Sequence, residues 1–363
     1  MSVDRDGPAA SPIRVSNVRI DGDDDLLLVR LLMGAQPSLL MVAAAEARIF
    51  DTLGERDLSA AEIAGERALD ARATRLVLDG LVGLGVLLKH EDRYRNTSTS
   101  LRHLRVDTEH SHAIRLWIAG TRLWERLPEI LKTGALPAVS GEAEPWQRDG
   151  AEHHAFIRTM YDLGWLAAQS VAETLDLTGV GHLVDLGGGP GHYTIAMLER
   201  SPALRATVVD LPLTLMVTRG SLQRRCLAHR VELIAGDLFA PEPSLPLPPG
   251  TADLVLISHV VHMDGPAQNA ALVRRAAALL APGGRLVVHD LFLEEDRAHP
   301  PGSSMFAVHM LAMTQRGEVY PVSTIERWLE DAGLRPRVLS TSPFLIEGRR
   351  PAPTPERDAC ASS

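Results

Sequence analysis

Leu183-Val-Asp-Leu-Gly-Gly-Gly-Pro-Gly-His192 is the stretch that decides the fold. Apolar residues lead into an acid, Asp185. Glycines follow at 187, 188, 189 and 191, and an amphipathic helical pattern then runs from Tyr193 to Arg200. The order is strand, tight loop, helix. Glycine lets the loop adopt positive φ and lets a ligand approach the backbone closely. A loop of this kind, opening onto a helix N-terminus, receives a nucleotide-like ligand. A dinucleotide fingerprint needs Gly-x-Gly-x-x-Gly/Ala. The sixth position is His192 counting from Gly187 and Thr194 counting from Gly189, so both frames fail. A phosphate loop needs Gly-Lys-Ser/Thr, and no lysine is present. What remains is Asp185-x-Gly187-x-Gly189-x-Gly191.

Two further strand patterns end in acids. Ala206-Thr-Val-Val-Asp210-Leu211-Pro is one, and Val231-Glu-Leu-Ile-Ala-Gly-Asp237-Leu238-Phe is the other. In an open α/β sheet, a carboxylate at the second strand end takes the ribose hydroxyls of a nucleoside. A single such acid is more often a helix cap or turn residue. Three at successive strand ends point to a nucleoside site.

On the other side of the expected crevice, Asp253-Leu-Val-Leu-Ile-Ser258-His-Val-Val-His262 runs a strand into a loop. Gly265-Pro266 then opens a helix that ends near Pro282-Gly-Gly. The next strand, Arg285-Leu-Val-Val-His, ends at Asp290. His262 and Asp290 thus fall on adjacent strand ends. A free imidazole titrates near neutrality, which suits a general base. A carboxylate beside it orients the ring and stabilises its cation.

Outside these motifs the chain alternates strand and helix from about 178, with strands near 182–186, 206–210, 231–235, 253–258 and 285–289. Val338 to Phe344 and a run near Leu345 read as closing strands. This predicts an α/β domain with a mostly parallel seven-stranded sheet and helices on both faces. The earlier part is mainly helical. Ser38–Leu53 reads as one helix. Ser59-Ala-Ala-Glu62 is a capping box. Asp70 caps a third helix with Leu76, Leu81, Val82 and Leu84 apolar, and Val86–Leu88 with Arg93–Thr97 reads as a hairpin. Three helices and a hairpin make a winged-helix layout. Ile114–Leu131 and Ala155–Leu175 read as two long helices. The expected division is a disordered segment 1–24, a helical domain 25–150, a catalytic domain 151–347 and a disordered tail 348–363.

Bulk properties narrow the class. A chain of 363 residues with 45% hydrophobic content has ample core material for about two domains. A net charge of -9 and pI near 5.9 argue against a general binder of nucleic acid or anionic membranes. The third helix of the winged-helix layout carries Arg72 and Arg75 but also Asp79, thin for phosphate contacts. With Cys226 and Cys360 alone, no disulfide framework is expected. The polar start and the absence of a long apolar run fit a cytoplasmic protein that neither enters nor crosses a membrane.

Taken together, these motifs resemble the small-molecule O-methyltransferases of the plant caffeic-acid and acetylserotonin type and their bacterial natural-product relatives. The resemblance covers about residues 30–346. It includes Val-Val-Asp-Leu-Pro, Gly-Asp-Leu-Phe, Ala-Pro-Gly-Gly-Arg-Leu and Trp328-Leu-Glu-Asp-Ala-Gly-Leu. It implies S-adenosylmethionine (SAM) as cofactor, held by Asp185, Gly187, Gly189, Gly191, Asp210, Leu211, Asp237, Leu238 and Ser258. Asp237 would meet the adenine amino group, with the apolar pair after it against the ring. It implies His262 as the base for an acceptor hydroxyl and Asp290 as its orienting partner. The family's His-Asp-Trp is here His262-Met263-Asp264, and a second family carboxylate falls at Val319, with Glu318 adjacent but out of register. Trp117, Met160, His309 and Met310 are expected to line the acceptor pocket, and a homodimer through the helical domain is implied. No metal is expected. Three other readings stand beside this one: a C-methyltransferase on an activated carbon such as a 2-oxo acid, with a metal at His262 and His309; a SAM-binding enzyme that transfers no methyl; and a winged-helix regulator that senses SAM.

Overall fold

Seven strands form one sheet: β4 His182–Leu186, β5 Arg205–Asp210, β6 Val231–Ala235, β7 Ala252–Ser258, β8 Leu280–His289, β9 Arg335–Thr341 and β10 Phe344–Arg349. Their order across the sheet is β6-β5-β4-β7-β8-β10-β9. The first five run parallel, and β10 lies antiparallel between β8 and β9. The computed structural model describes residues 30–31, 33–106, 112–135, 150–240 and 247–351. The expected terminal segment 1–24, and the tail beyond 351, lie outside them. Strand β10 continues to Arg349, past the expected start of the tail at 348.

Alternation along each strand builds two cores. Val184, Leu186, Val255, Ile257, Leu286 and Val288 pack on one face with helices Pro266–Leu279 and Val322–Asp331. Leu183, Leu254, Leu256 and Val287 pack on the other with helices Gly150–Thr174 and His192–Arg200. Successive side chains of a strand point to opposite faces, so Asp185 is carried to the second face along with Leu183. Fully burying each such Leu or Val contributes about 1.5–3 kcal/mol.

The chain moves outward through β4, β5 and β6, then returns to lay β7 and β8 on the opposite side of β4. Strand order therefore reverses between β4 and β7, and ligands bind outside the carboxyl ends of strands at such a point. The glycine loop leaves β4 there, and Ser258 to His262 leave β7 at the same edge.

The earlier unit has a three-stranded sheet in the order β1-β3-β2, from β1 Leu58–Ser59, β2 Leu87–His90 and β3 Arg93–Asn96. The predicted capping box is present: Ser59 Oγ accepts from Glu62 N–H, and the Glu62 carboxylate accepts from Ser59 N–H. Asp70 caps helix Ala71–Gly83 by accepting from Ala73 N–H. Leu78 and Leu81 are buried in that helix, but Leu76 is exposed. Arg75 and Lys89 both pair with Asp79, so the cations beside the hairpin are engaged by an acid of the same unit.

Two expected helices are broken. Residues 38–53 form Gln36–Glu46 and Ile49–Leu53, joined through Arg48 in the left-handed region at φ 60°. That turn redirects the chain so that Ile49, Phe50 and Leu53 are all buried. No glycine or proline marks it. Residues 114–131 form His112–Trp124 and Leu127–Thr133, with Pro128 in the first turn of the second helix. Proline removes an interior hydrogen bond but is suited to a helix start. The chain forms two compact units, Met1–Ala119 and Gly120–Ser363. This division falls ahead of the expected boundary at 150/151, because helix Leu127–Thr133 packs against helix Pro301–Met313.

Candidate active site

The glycine loop is held from beneath and open above. Gly187 N–H donates to Val209 O, which staples the loop start to β5. Gly187 has φ +74°, and a Cβ there would lie 2.5 Å from Val260 Cγ2, so the position excludes any side chain. Gly189, at φ +55°, has no heavy atom within 4 Å of where its Cβ would be. The loop therefore presents bare backbone at Gly189 and packs tightly at Gly187.

Asp210 lies at the end of β5. Its Oδ2 accepts from Gly189 N–H and its Oδ1 from Leu211 N–H, both at 2.7 Å. Burial pushes its carboxyl up from the ordinary range, against these backbone bonds. Each oxygen keeps a lone pair for a ligand hydroxyl. Asp237 is exposed and turns the chain by accepting from Phe239 N–H, while Leu238 is buried beside it. Ser258 is buried at the end of β7, beside the Tyr193 phenol. Two carboxylates, a bare glycine, an apolar pair and a buried hydroxyl fit a nucleoside that carries an amino acid. S-Adenosylmethionine is such a molecule.

Asp185 differs from its expected place. It is wholly buried, and its Oδ2 accepts from Thr194 Oγ1 at 2.6 Å. Burial raises its carboxyl to about 7, opposed by the Thr194 bond. It ties the strand to helix His192–Arg200 from under the loop instead of lying open to a ligand. Gly191 starts that helix at φ +83°.

Across the crevice, His262 Nδ1 and Asp290 Oδ1 are 2.7 Å apart and buried. Asp290 also accepts from Leu291 N–H. Burial would raise Asp290, but the imidazoles of His262 and His259 outweigh it and hold the carboxyl well below the usual range. With Nδ1–H donated to an anion, His262 keeps its lone pair on Nε2.

The turn carrying His262 is clamped. Asn269 Nδ2 donates to Val261 O and Asp264 O, and Tyr320 OH donates to Asp264 O. Arg316 grips the Asp264 carboxylate with Nε and Nη2. Asp264, which replaces a family tryptophan, thus anchors the turn. Glu318 pairs with Arg297 at 2.7 Å and Val319 is buried, so neither supplies a second carboxylate to His262.

Helix Pro301–Met313 brings rings to the base. Phe306 stands edge-on to His262 at 5.0 Å between ring centres and lies 5.9 Å from His309. Trp124 stacks on His309 and its Nε1–H donates to His309 Nδ1 at 3.1 Å. Burial and nearby His262 lower the His309 imidazole, favouring the neutral ring. Its remaining proton is then on Nε2, as a donor. Met310 is buried, and Met160 is half-buried on helix Gly150–Thr174. The Trp117 side chain lies outside the described residues. Sequence reasoning did not single out Phe306, His259 or Trp124. The three-residue spacing of His259 and His262 around Asp290 was the available signal.

The chain matches an O-methyltransferase domain over residues 136–335 and an O-methyltransferase dimerisation domain over residues 29–105. It is 31% identical to the tetracenomycin polyketide synthesis 8-O-methyl transferase TcmO of Streptomyces glaucescens, over 93% of this chain and 98% of that one. It is 26% identical to the L-tyrosine C(3)-methyltransferase of Streptomyces lavendulae, over 87% and 88% of the two chains. The solved structure of an O-methyltransferase family protein from Burkholderia thailandensis superposes with a TM-score of 0.79 at 27% identity, covering 91% of this chain and 99% of that one.

Proposed function

The chain belongs to the O-methyltransferase family and is a SAM-dependent O-methyltransferase, and we propose that its acceptor is a phenolic hydroxyl on a small aromatic natural-product intermediate. The observation that carries this reading is the buried His262–Asp290 pair with Phe306, His309 and Trp124 ranged beside it. Flat rings favour offset or edge contacts with such side chains. A phenol is largely neutral at pH 7 and gains nucleophilicity when a base removes its proton.

SAM, when bound, supplies a methyl group already activated by the sulfonium. Asp210 holds the ribose hydroxyls, Asp237 and Leu238 hold the base, and Ser258 answers a polar group of the amino-acid end. His262 Nε2 takes the acceptor proton. Asp290 fixes the tautomer and stabilises the cation that forms. His309 Nε2–H donates to a second oxygen of the acceptor, and Met160 contributes apolar wall. Incubation with SAM and a panel of phenols, read by mass spectrometry, should give a single added methyl. No methylated phenol at any pH would defeat the reading.

The likeness to an L-tyrosine C(3)-methyltransferase supports a second reading. A phenolate is nucleophilic at oxygen and at the ortho carbon, so one base serves both outcomes. Proton NMR of the product separates a methoxyl from an aryl methyl.

We further propose that the helical part within residues 25–150 dimerises the chain and that 151–347, joined by Trp124, carry the chemistry, in a cytoplasmic homodimer. Sedimentation should report two chains. Among the described residues no helix is long and apolar enough to cross a membrane.

A further inference from the structure

The carboxylate that orients His262 faces a second imidazole. His259 Nδ1 lies 3.6 Å from the same Asp290 oxygen that accepts from His262. The two rings are 5.9 Å apart. Ligand atoms of all three residues lie within 4.8 Å of one another. His259 is the odd member of the site. Its backbone is in the left-handed region at φ 53°, and its N–H donates to His289 O. A non-glycine residue held there is strained and needs surrounding structure to keep it. Its side chain is 39% exposed, whereas those of His262 and Asp290 are at 7% and 0%. The other Asp290 oxygen, Oδ2, is buried with no hydrogen-bond partner among the described residues.

We propose that His259, His262 and Asp290 form a binding site for a divalent transition-metal ion, and that filling it switches the base off. The proposal rests on the reading of His262 as the base. Two imidazoles and a carboxylate suit Zn²⁺, Co²⁺, Ni²⁺ or Fe²⁺. Metal bonds of about 2.0–2.2 Å place neighbouring ligand atoms roughly 3–3.5 Å apart. The observed 2.7 and 3.6 Å straddle that range. A rotation of the half-exposed His259 ring closes the remaining pair, and the same exposure gives an ion its entry. His289 is excluded as a ligand through Nδ1, which bonds Phe344 O. The alternative pairing of His262 with His309 is disfavoured because His309 Nδ1 is taken by Trp124.

The switch follows from the tautomer. Without metal, the His262 proton sits on Nδ1 toward Asp290 and Nε2 is open. A metal on Nδ1 moves that proton to Nε2, the position that must be empty to accept the proton of the acceptor hydroxyl. For the His262 ring this is a move of one proton between its own nitrogens, and no redox step is involved. Metal occupancy and base function therefore exclude each other.

The test uses the full chain, stripped with chelator and dialysed. Zn²⁺ is titrated by calorimetry and Co²⁺ by visible absorbance, with methyl transfer to a phenol measured in parallel. One equivalent should bind, and the rate should fall with occupancy. His259→Asn keeps a residue that tolerates left-handed backbone and removes one imidazole. It should weaken Zn²⁺ binding at least about tenfold and raise the Zn²⁺ concentration for half-inhibition equally, relative to its own metal-free rate. Circular dichroism confirms that the variant folds, and the Co²⁺ bands of the wild type report the ligand set independently. The proposal is overturned if no stoichiometric binding occurs, if His259→Asn binds Zn²⁺ as tightly as wild type, or if added metal raises the rate. Because calorimetry needs no turnover, loss of the metal site and failure of the phenol reading are told apart.

Discussion

The two sides of the crevice are built differently. The donor side is held largely by backbone groups at three successive strand ends. Asp210 accepts from Gly189 N–H and Leu211 N–H, and Asp237 from Phe239 N–H, so each piece is a short motif even where two motifs meet across strands. The acceptor side is assembled from distant segments. His262 needs Asp290, 28 residues on, and His309 needs Trp124, 185 residues back. A site made from backbone and glycine can be recognised by order along the chain. A site made from side-chain contacts has no such order, and each member can change without breaking a motif.

That contrast predicts that the sides can be damaged separately, and the strongest test lies on the acceptor side. His262→Ala should lower the turnover rate by roughly 10²–10⁴ while calorimetry finds SAM affinity near wild type. If SAM affinity falls with the rate, the two sides are one unit and the contrast fails.

The next effect lies beneath the donor loop. Asp185 is buried with its carboxyl raised to about 7, against an unfolded value near 3.8. A raised folded value means that the native state holds a proton which the unfolded chain has lost. Its stabilising share is full below the unfolded value and disappears as pH rises towards 7. Thermal melts between pH 4 and 8 should show Asp185→Asn losing less stability with rising pH than wild type. Parallel curves would mean that Asp185 is not a neutral acid in the folded chain.

A smaller loss is expected at the ligand itself. Asp210→Ala should weaken SAM binding by about 1–3 kcal/mol, the cost of leaving buried polar groups unmatched. The rate at saturating SAM should stay within a few-fold of wild type. Unchanged affinity would remove Asp210 from the donor side.

The smallest change is expected at the ring ladder. Trp124→Phe keeps an aromatic face but removes the N–H that fixes the His309 tautomer. Loss of one neutral hydrogen bond is worth about 0.5–1.5 kcal/mol, so KM for the acceptor should rise several-fold with kcat little changed. A drop in kcat alone would place His309 in the chemical step and not in acceptor binding.

Much of the donor side was legible because its constraints leave residue types that stand out within short motifs. Gly187 is required by a positive φ and by Val260 pressing on it, and a glycine is visible in any sequence. The strand patterns were legible because a doubly covered strand must be apolar on both faces, as β4 and β7 are. The breaks in the helical region were less so. Pro128 marked one, but Arg48 adopts a left-handed turn that its residue type does not announce, and burial of Phe50 and Leu53 drives it. Asp185 was placed at the ligand by its motif, yet strand alternation turns it to the opposite face, onto Thr194.

The order of strands and helices, the nucleoside-binding loop and the presence of a histidine and an acid on neighbouring strand ends are all written in the amino-acid order. These follow from periodicity, from glycine's freedom and from the fixed direction of parallel strands, all of which act along the chain. That one Asp290 oxygen faces both His262 and His259, that Asp264 is gripped by Arg316, and that Trp124 sets the His309 proton emerge only once the chain is folded. Those relations depend on ångström-scale distances between side chains far apart in sequence. The hydrogen bonds concerned act over about 3 Å, a separation that only the packed sheet and helices can fix.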